Sequence, residues 1–266
     1  ILRLILNTMN RMDKIFKEKK DILSIYFTAG FPKLDDTTII MDELQKSGAD
    51  MIEIGIPFSD PLADGPIIQH SSEVALRNGM SLKLLFEQLE KSQVINQNPE
   101  VVFILMGYLN PVMQFGIEKF CKYAHEAGIS GVILPDLPIE EYLSEYKPLF
   151  EKYDIKNIFL ITPQTSGERI RYIDGHSDGF IYLVSSSGTT GVKNGIDREK
   201  EKYFSRIKEM NLKNPLMVGF GIGDKKSFEK ACEYAKGAII GSAFIKAIGN
   251  SRELKKDIPD FIKSIK

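Results

Sequence analysis

Apolar residues in this chain come as short runs, separated by longer stretches in which they recur every three or four positions. The runs lie at 23–27, 51–54, 101–106, 131–134, 157–161, 179–184, 216–219 and 238–240. Several are apolar throughout instead of alternating, as parallel strands buried on both faces are. Between them the spacing predicts helices over 37–47, 82–94, 117–127, 139–153, 198–210, 225–235, 243–248 and 258–265. In the first of these, Ile40 and Leu44 stand one turn apart. Gly128 follows the third as a C-cap signal. A further short helix near 12–19 precedes the first strand.

Strands that alternate with helices imply a parallel sheet, either open and doubly wound or closed into a barrel. Eight such units in about 250 residues is the count of a (β/α)8 TIM barrel. No linker-like stretch divides the 266 residues, so 1–266 reads as one α/β barrel domain with a short N-terminal helix. The longest connection follows the second run and holds Pro57-Phe58-Ser59-Asp60-Pro61-Leu62-Ala63-Asp64-Gly65-Pro66. The connection after the sixth run is also drawn out, through Gly188-Thr189-Thr190-Gly191. Loops leaving the C-terminal strand ends build barrel active sites, so these two are the first places to look.

Composition narrows the class without choosing a function. The chain is 43% hydrophobic, with 35 basic and 36 acidic residues and a net charge of −1. That balance supplies a core and leaves no basic footprint for nucleic acid. Cys121 and Cys232 form no CxxC pair, and His70, His125 and His176 have no metal-type spacing. The reading is therefore no disulfide framework, no metal site and a reducing cytoplasm. The apolar run Ile1 to Leu6 is too short for a membrane span or a signal peptide. Residues 1–8 read as a non-native or disordered extension, with Met9 or Met12 as the native start.

Glycines mark one kind of candidate chemistry. Gly191 ends the turn after the sixth run, Gly219-Phe220-Gly221-Ile222-Gly223 follows the seventh, and Gly241-Ser242 follows the eighth. Glycine lets backbone N–H groups approach an anion, and loops seven and eight are the recurrent phosphate position in barrels. No lysine stands beside them in a P-loop arrangement.

Carboxylates mark the other kind. Glu53 interrupts an otherwise apolar strand, where a buried acid is costly unless paired, hydrogen-bonded or protonated. Facing inward at the strand end, it would be poised as a general acid/base. Asp64, before Gly65, reads locally as an Asp-Gly turn residue ahead of the alternative, a second carboxylate over the same mouth. Asp136, in Leu134-Pro135-Asp136-Leu137-Pro138, is similarly a turn residue or a supporting acid. Tyr182 is barrel core unless it points up at the mouth.

The stretch Ile52 to Pro66, IEIGIPFSDPLADGP, resembles the signature of tryptophan synthase α chains over fifteen unbroken positions. The likeness continues through Thr28-Ala29-Gly30, Leu105-Met106, Asn110-Pro111, Leu134 to Pro138, Tyr182-Leu183, Gly188 to Gly191, Gly219 to Ile222 and Gly241-Ser242-Ala243. It implies a retro-aldol lyase that splits indole-3-glycerol phosphate into indole and glyceraldehyde 3-phosphate. By the resemblance, Glu53 is the catalytic acid/base and Asp64 the catalytic aspartate that accepts from the indole N–H. Tyr182 lines the site, and Gly191, Gly221, Gly241 and Ser242 bind the phosphate. The resemblance further implies no cofactor in this chain, with PLP in a β-subunit partner of an α2β2 heterotetramer. Pro57, Asp60, Asn110 and Pro111 lie toward that partner. Thr189 departs from the valine of many relatives, and residues 1–8 match nothing in the family.

Three rivals are weaker. Another phosphate-binding barrel would carry different strand-end residues, and a Schiff-base aldolase would need a lysine inside a strand, whereas Lys156 stands only at an edge. A non-catalytic regulatory subunit would not need both Glu53 and Asp64.

Overall fold

The computed structural model describes residues 9–92, 94–185, 198–219 and 221–266. Eight parallel strands close on themselves: β1 (Ile22–Thr28), β2 (Met51–Gly55), β3 (Val102–Met106), β4 (Gly131–Ile133), β5 (Lys156–Ile161), β6 (Ile181–Val184), β7 (Leu216–Gly219) and β8 (Gly237–Ile240). β8 pairs back with β1 through Ile22↔Gly237 and the three residues that follow each. The closed barrel expected from the strand rhythm is present.

Around it run α1 (Arg11–Glu18), α2 (Asp36–Lys46), α3 (Pro66–Arg77), α4 (Leu82–Ser92), α5 (Val94–Gln97), α6 (Leu109–Phe115), α7 (Ile117–Ala127) and α8 (Ile139–Glu141). A π-helical turn (Tyr142–Tyr146) links α8 to α9 (Lys147–Lys152). The ring is completed by α10 (Gly167–His176), α11 (Arg198–Glu209), α12 (Lys225–Cys232), α13 (Ser242–Gly249) and α14 (Leu254–Ile265). Gly128 takes the left-handed conformation of a C-cap, at φ 85°. Among the described residues no helix is long and apolar enough to cross a membrane, and both cysteines are free.

Helices α3, α5, α6 and α10 were not expected from periodicity. The buried face of α3 is built from Ser71, Ser72 and Ala75 beside Ile68, and small or hydroxylated side chains blur the apolar stripe. Ser71 instead meets Thr28 of β1 hydroxyl to hydroxyl at 2.6 Å. In α10 only Ile170 and Ile173 are buried, and the Ser166 side chain caps the first turn by accepting from Arg169 N–H at 3.2 Å. The last helix starts four residues before the expected 258 and accommodates Pro259 inside it.

The two faces of β1 explain the position of the site. Leu23, Ile25 and Phe27 are fully buried outward against the helices. The alternate row, Ser24, Tyr26 and Thr28, is the polar one, and Tyr26 stands in register with Glu53 of β2. Two tyrosines fill the interior. A Cβ placed at Gly55 would overlap the Tyr26 hydroxyl, and one at Gly219 would overlap the Tyr182 hydroxyl. The other end of the barrel is stoppered by α1, whose Met12 is fully buried and packs against Gly131 and Gly179. Asn10 ties the stopper down, donating to the carbonyls of Ser130 and Asp154.

Candidate active site

Glu53 is fully buried on β2. Its Oε1 accepts from the Ser24 hydroxyl at 2.8 Å. Its Oε2 is buried and has no hydrogen-bond partner among the described residues. Loss of water around the carboxyl pushes its pKa up to about 7, with the Ser24 bond pulling the other way. At neutral pH the group is thus divided between acid and base, the condition for proton transfer in either direction.

Asp64 comes to the same mouth from the loop after β2 and is buried too. Tyr108, just past β3, donates its hydroxyl to Asp64 Oδ2 at 3.0 Å and accepts from Ala63 N–H at 3.0 Å. Gln69 donates to the Asp64 carbonyl at 2.9 Å, which fixes the loop to the start of α3. Burial raises the Asp64 carboxyl to about 6, and the Tyr108 bond opposes that rise. Tyr108 was not singled out in the sequence, although it lies between the Leu105-Met106 and Asn110-Pro111 matches. A phenol two residues beyond the end of β3 was the available signal.

Tyr182 points into the barrel and is buried. Its hydroxyl is held well above the ordinary range, first by burial and then by the nearby charges of Glu53, Asp64 and Tyr26. Tyr26 feels both carboxylates as well. Tyr26 and Tyr182 thus both stand within electrostatic reach of Glu53 and Asp64.

The glycine-rich turns converge beside it. Gly221 is exposed at φ +75°, and a Cβ there would stand 3.3 Å from the Lys200 amine and 3.7 Å from Ser185 Oγ. A Cβ at Gly223 would meet Ala243 of α13 at 3.2 Å. Gly241 is the N-cap of α13 without a side-chain cap bond, and Ser242 opens the helix. The first N–H groups of a helix have no partner within it and favour an anion. Lys200, on α11, is brought to these turns by the fold and not by local spacing. Gly191 and Thr189 lie outside the described residues.

Asp136 resolves as a brace. Its two oxygens accept from Leu109 N–H at 2.9 and 3.1 Å, holding the turn that carries Tyr108 into α6. Of the residues expected toward a partner, Asp60 and Asn110 are exposed, Pro111 is half-buried and Pro57 is buried. Beside them Leu62 is 90% exposed and Met113 53% exposed, apolar side chains that the sequence reading passed over. Among the described residues no cluster of His, Cys, Asp or Glu could hold a metal ion.

Fold and site together define a (β/α)8-barrel enzyme with two buried carboxyls, Glu53 and Asp64, near one end of the barrel. Residues 12–264 match the sequence profile of the tryptophan synthase alpha chain. The tryptophan synthase alpha chain of Flavobacterium psychrophilum is 59% identical over 90% of this chain and 93% of its own length. That of Bacteroides thetaiotaomicron is 55% identical over 94% and 97%. Among solved structures, the alpha chain of Legionella pneumophila superposes with a TM-score of 0.85 at 35% identity, covering 97% of this chain and 96% of that one. Tryptophan synthase from M. tuberculosis in its aminoacrylate-bound form gives 0.83 at 26% identity, over 97% and 98%. The chain belongs to the tryptophan synthase alpha chain family.

Proposed function

We propose that this chain cleaves indole-3-glycerol phosphate to indole and glyceraldehyde 3-phosphate, with Glu53 as general acid/base and Asp64 as the fixed anion. The carrying observation is the pair of buried carboxyls at one mouth, with pKa values of about 7 and 6 and different hydrogen-bond surroundings. Environments that separate two carboxyls divide acid and base roles between them.

Protonated Glu53 delivers its proton to indole C3. The ring becomes an indolenine cation, whose N1–H is held by ionised Asp64. The C3–glycerol bond then breaks, and its electrons return to the ring as the adjacent hydroxyl gives its proton to the Glu53 carboxylate. Indole and the aldehyde result, and Glu53 ends protonated as it began. Tyr108 keeps Asp64 aimed, and charge held in place before reaction is usually the largest catalytic contribution. Gly221, Gly241 and Ser242, with Gly191, take the phosphate on backbone N–H groups and the Ser242 hydroxyl, and Tyr182 borders the ring.

The sequence runs on this chain's own acid and base and needs no cofactor here; PLP belongs to the β partner. Docking of that partner uses the face carrying Asp60, Leu62, Asn110 and Met113, next to the acid pair, with Pro57 and Pro111 shaping its backbone. Exposed apolar side chains beside polar ones suit such a surface. An α2β2 assembly in the cytoplasm completes the reading.

The test is indole release from indole-3-glycerol phosphate by the purified chain, alone and with a tryptophan synthase β chain. Release that rises with the partner is the expected result. Its absence under both conditions, with the chain folded, would reduce this subunit to a regulator.

The pH dependence carries a sign. Asp64 must be ionised, so kcat/KM rises with pH through about 6; Glu53 must start protonated, so it falls through about 7. A narrow bell is expected in steady-state assays from pH 5 to 9. A profile flat across that range would remove the role assignment.

A further inference from the structure

The Glu53 carboxyl has two chemically distinct oxygens. Oε1 is engaged by the hydroxyl of Ser24, one strand away at 2.8 Å, with both side chains fully buried. Oε2 is equally buried and has no partner among the described residues. A buried polar oxygen without a partner is costly, so Oε2 is open to a proton or to a group that binds beside it.

We propose that Ser24 is a positioning residue that assigns the two oxygens their work, holding Oε1 and leaving Oε2 to carry the proton to and from the substrate. The inference rests on Glu53 being the acid/base. Because Ser24 donates to Oε1, the proton of the neutral acid resides on Oε2. When that proton has gone to carbon, Oε1 keeps its bond and Oε2 is the atom that collects the next proton. The carboxyl therefore need not rotate between the two transfers, and one oxygen serves as acid and then base. Ser24 touches no reacting atom in this scheme; it acts through Glu53.

The surroundings leave Ser24 as the hydroxyl bonded to this carboxyl. Tyr26 on β1 and Tyr182 on β6 face the same space, and each feels the Glu53 charge. Asp64, held by Tyr108, reaches the site from the β2 loop. β3 presents Ile104 in register with Glu53 and adds no charge. A serine hydroxyl stabilises the carboxylate more than the neutral acid, since bonds to charged groups are the stronger ones. Its removal favours the protonated form and also frees the side chain to turn.

The experiment compares Ser24→Ala, Ser24→Thr and Glu53→Gln in indole release across the pH range, with folding checked by circular dichroism. For Ser24→Ala the falling limb moves up by about one pH unit, the rising limb stays in place, and kcat drops on the order of tenfold with KM little changed. Ser24→Thr keeps the hydroxyl and restores the falling limb. A Ser24→Ala protein that is folded and shows an unshifted falling limb overturns the proposal. Near-normal turnover in Glu53→Gln would instead overturn the acid/base reading beneath it, so the two failures are separable.

Discussion

Replacing Glu53 by glutamine is expected to slow indole release by about 10²–10⁴-fold, the usual contribution of a general acid/base. The amide preserves the packing. Its oxygen can still accept from Ser24 at the position of Oε1, and its nitrogen stands where Oε2 stood. What disappears is the ability to lose and regain a proton near neutral pH, which burial had conferred. Substrate contacts elsewhere are untouched, so KM stays close to its original value while kcat falls. That split identifies an interaction used in the transition state and not in binding. Turnover within a few-fold of the parent would show that the proton travels by another group.

Replacing Gly221 by aspartate is expected to weaken binding of inorganic phosphate and of glycerol 3-phosphate by about two orders of magnitude. Like charges set against each other cost several kcal/mol, and each 1.4 kcal/mol is tenfold. The position is exposed at φ +75°, a conformation that aspartate tolerates better than most residues, so the barrel survives the change. The new Cβ would stand 3.3 Å from the Lys200 amine. The carboxylate thus draws that cation to itself and presents a negative charge at the proposed phosphate site. Calorimetric titration reads the affinity directly; an unchanged constant would move the anion site away from the turn after β7.

Some of this was written along the chain and some was not. Strands buried on both faces are apolar on both faces, which made the eight runs and the single acid among them, Glu53, conspicuous. Asp64 could not be separated locally from an ordinary Asp-Gly turn, because its distinction is the phenol of Tyr108, 44 positions away in sequence. Ser24 was silent for the same reason. A serine in an apolar strand means little until the register of β1 and β2 brings it to Glu53. Lys200 was missed beside Gly221 because only the closure of β6, β7 and α11 brings them together. Helix α3 escaped notice because it buries hydroxyls and not a leucine stripe. Pairings across the barrel are tertiary facts, and local periodicity has no access to them.

The interlocking of Tyr26 with Gly55, and of Tyr182 with Gly219, makes the barrel interior a fitted joint and not a lining. Neither glycine can acquire a side chain unless its tyrosine shrinks, and a shortened tyrosine alone would leave a hollow in the barrel interior. The depth of that interior is therefore set by two matched pairs instead of four independent positions. Reshaping it is a problem of exchanging partners two at a time.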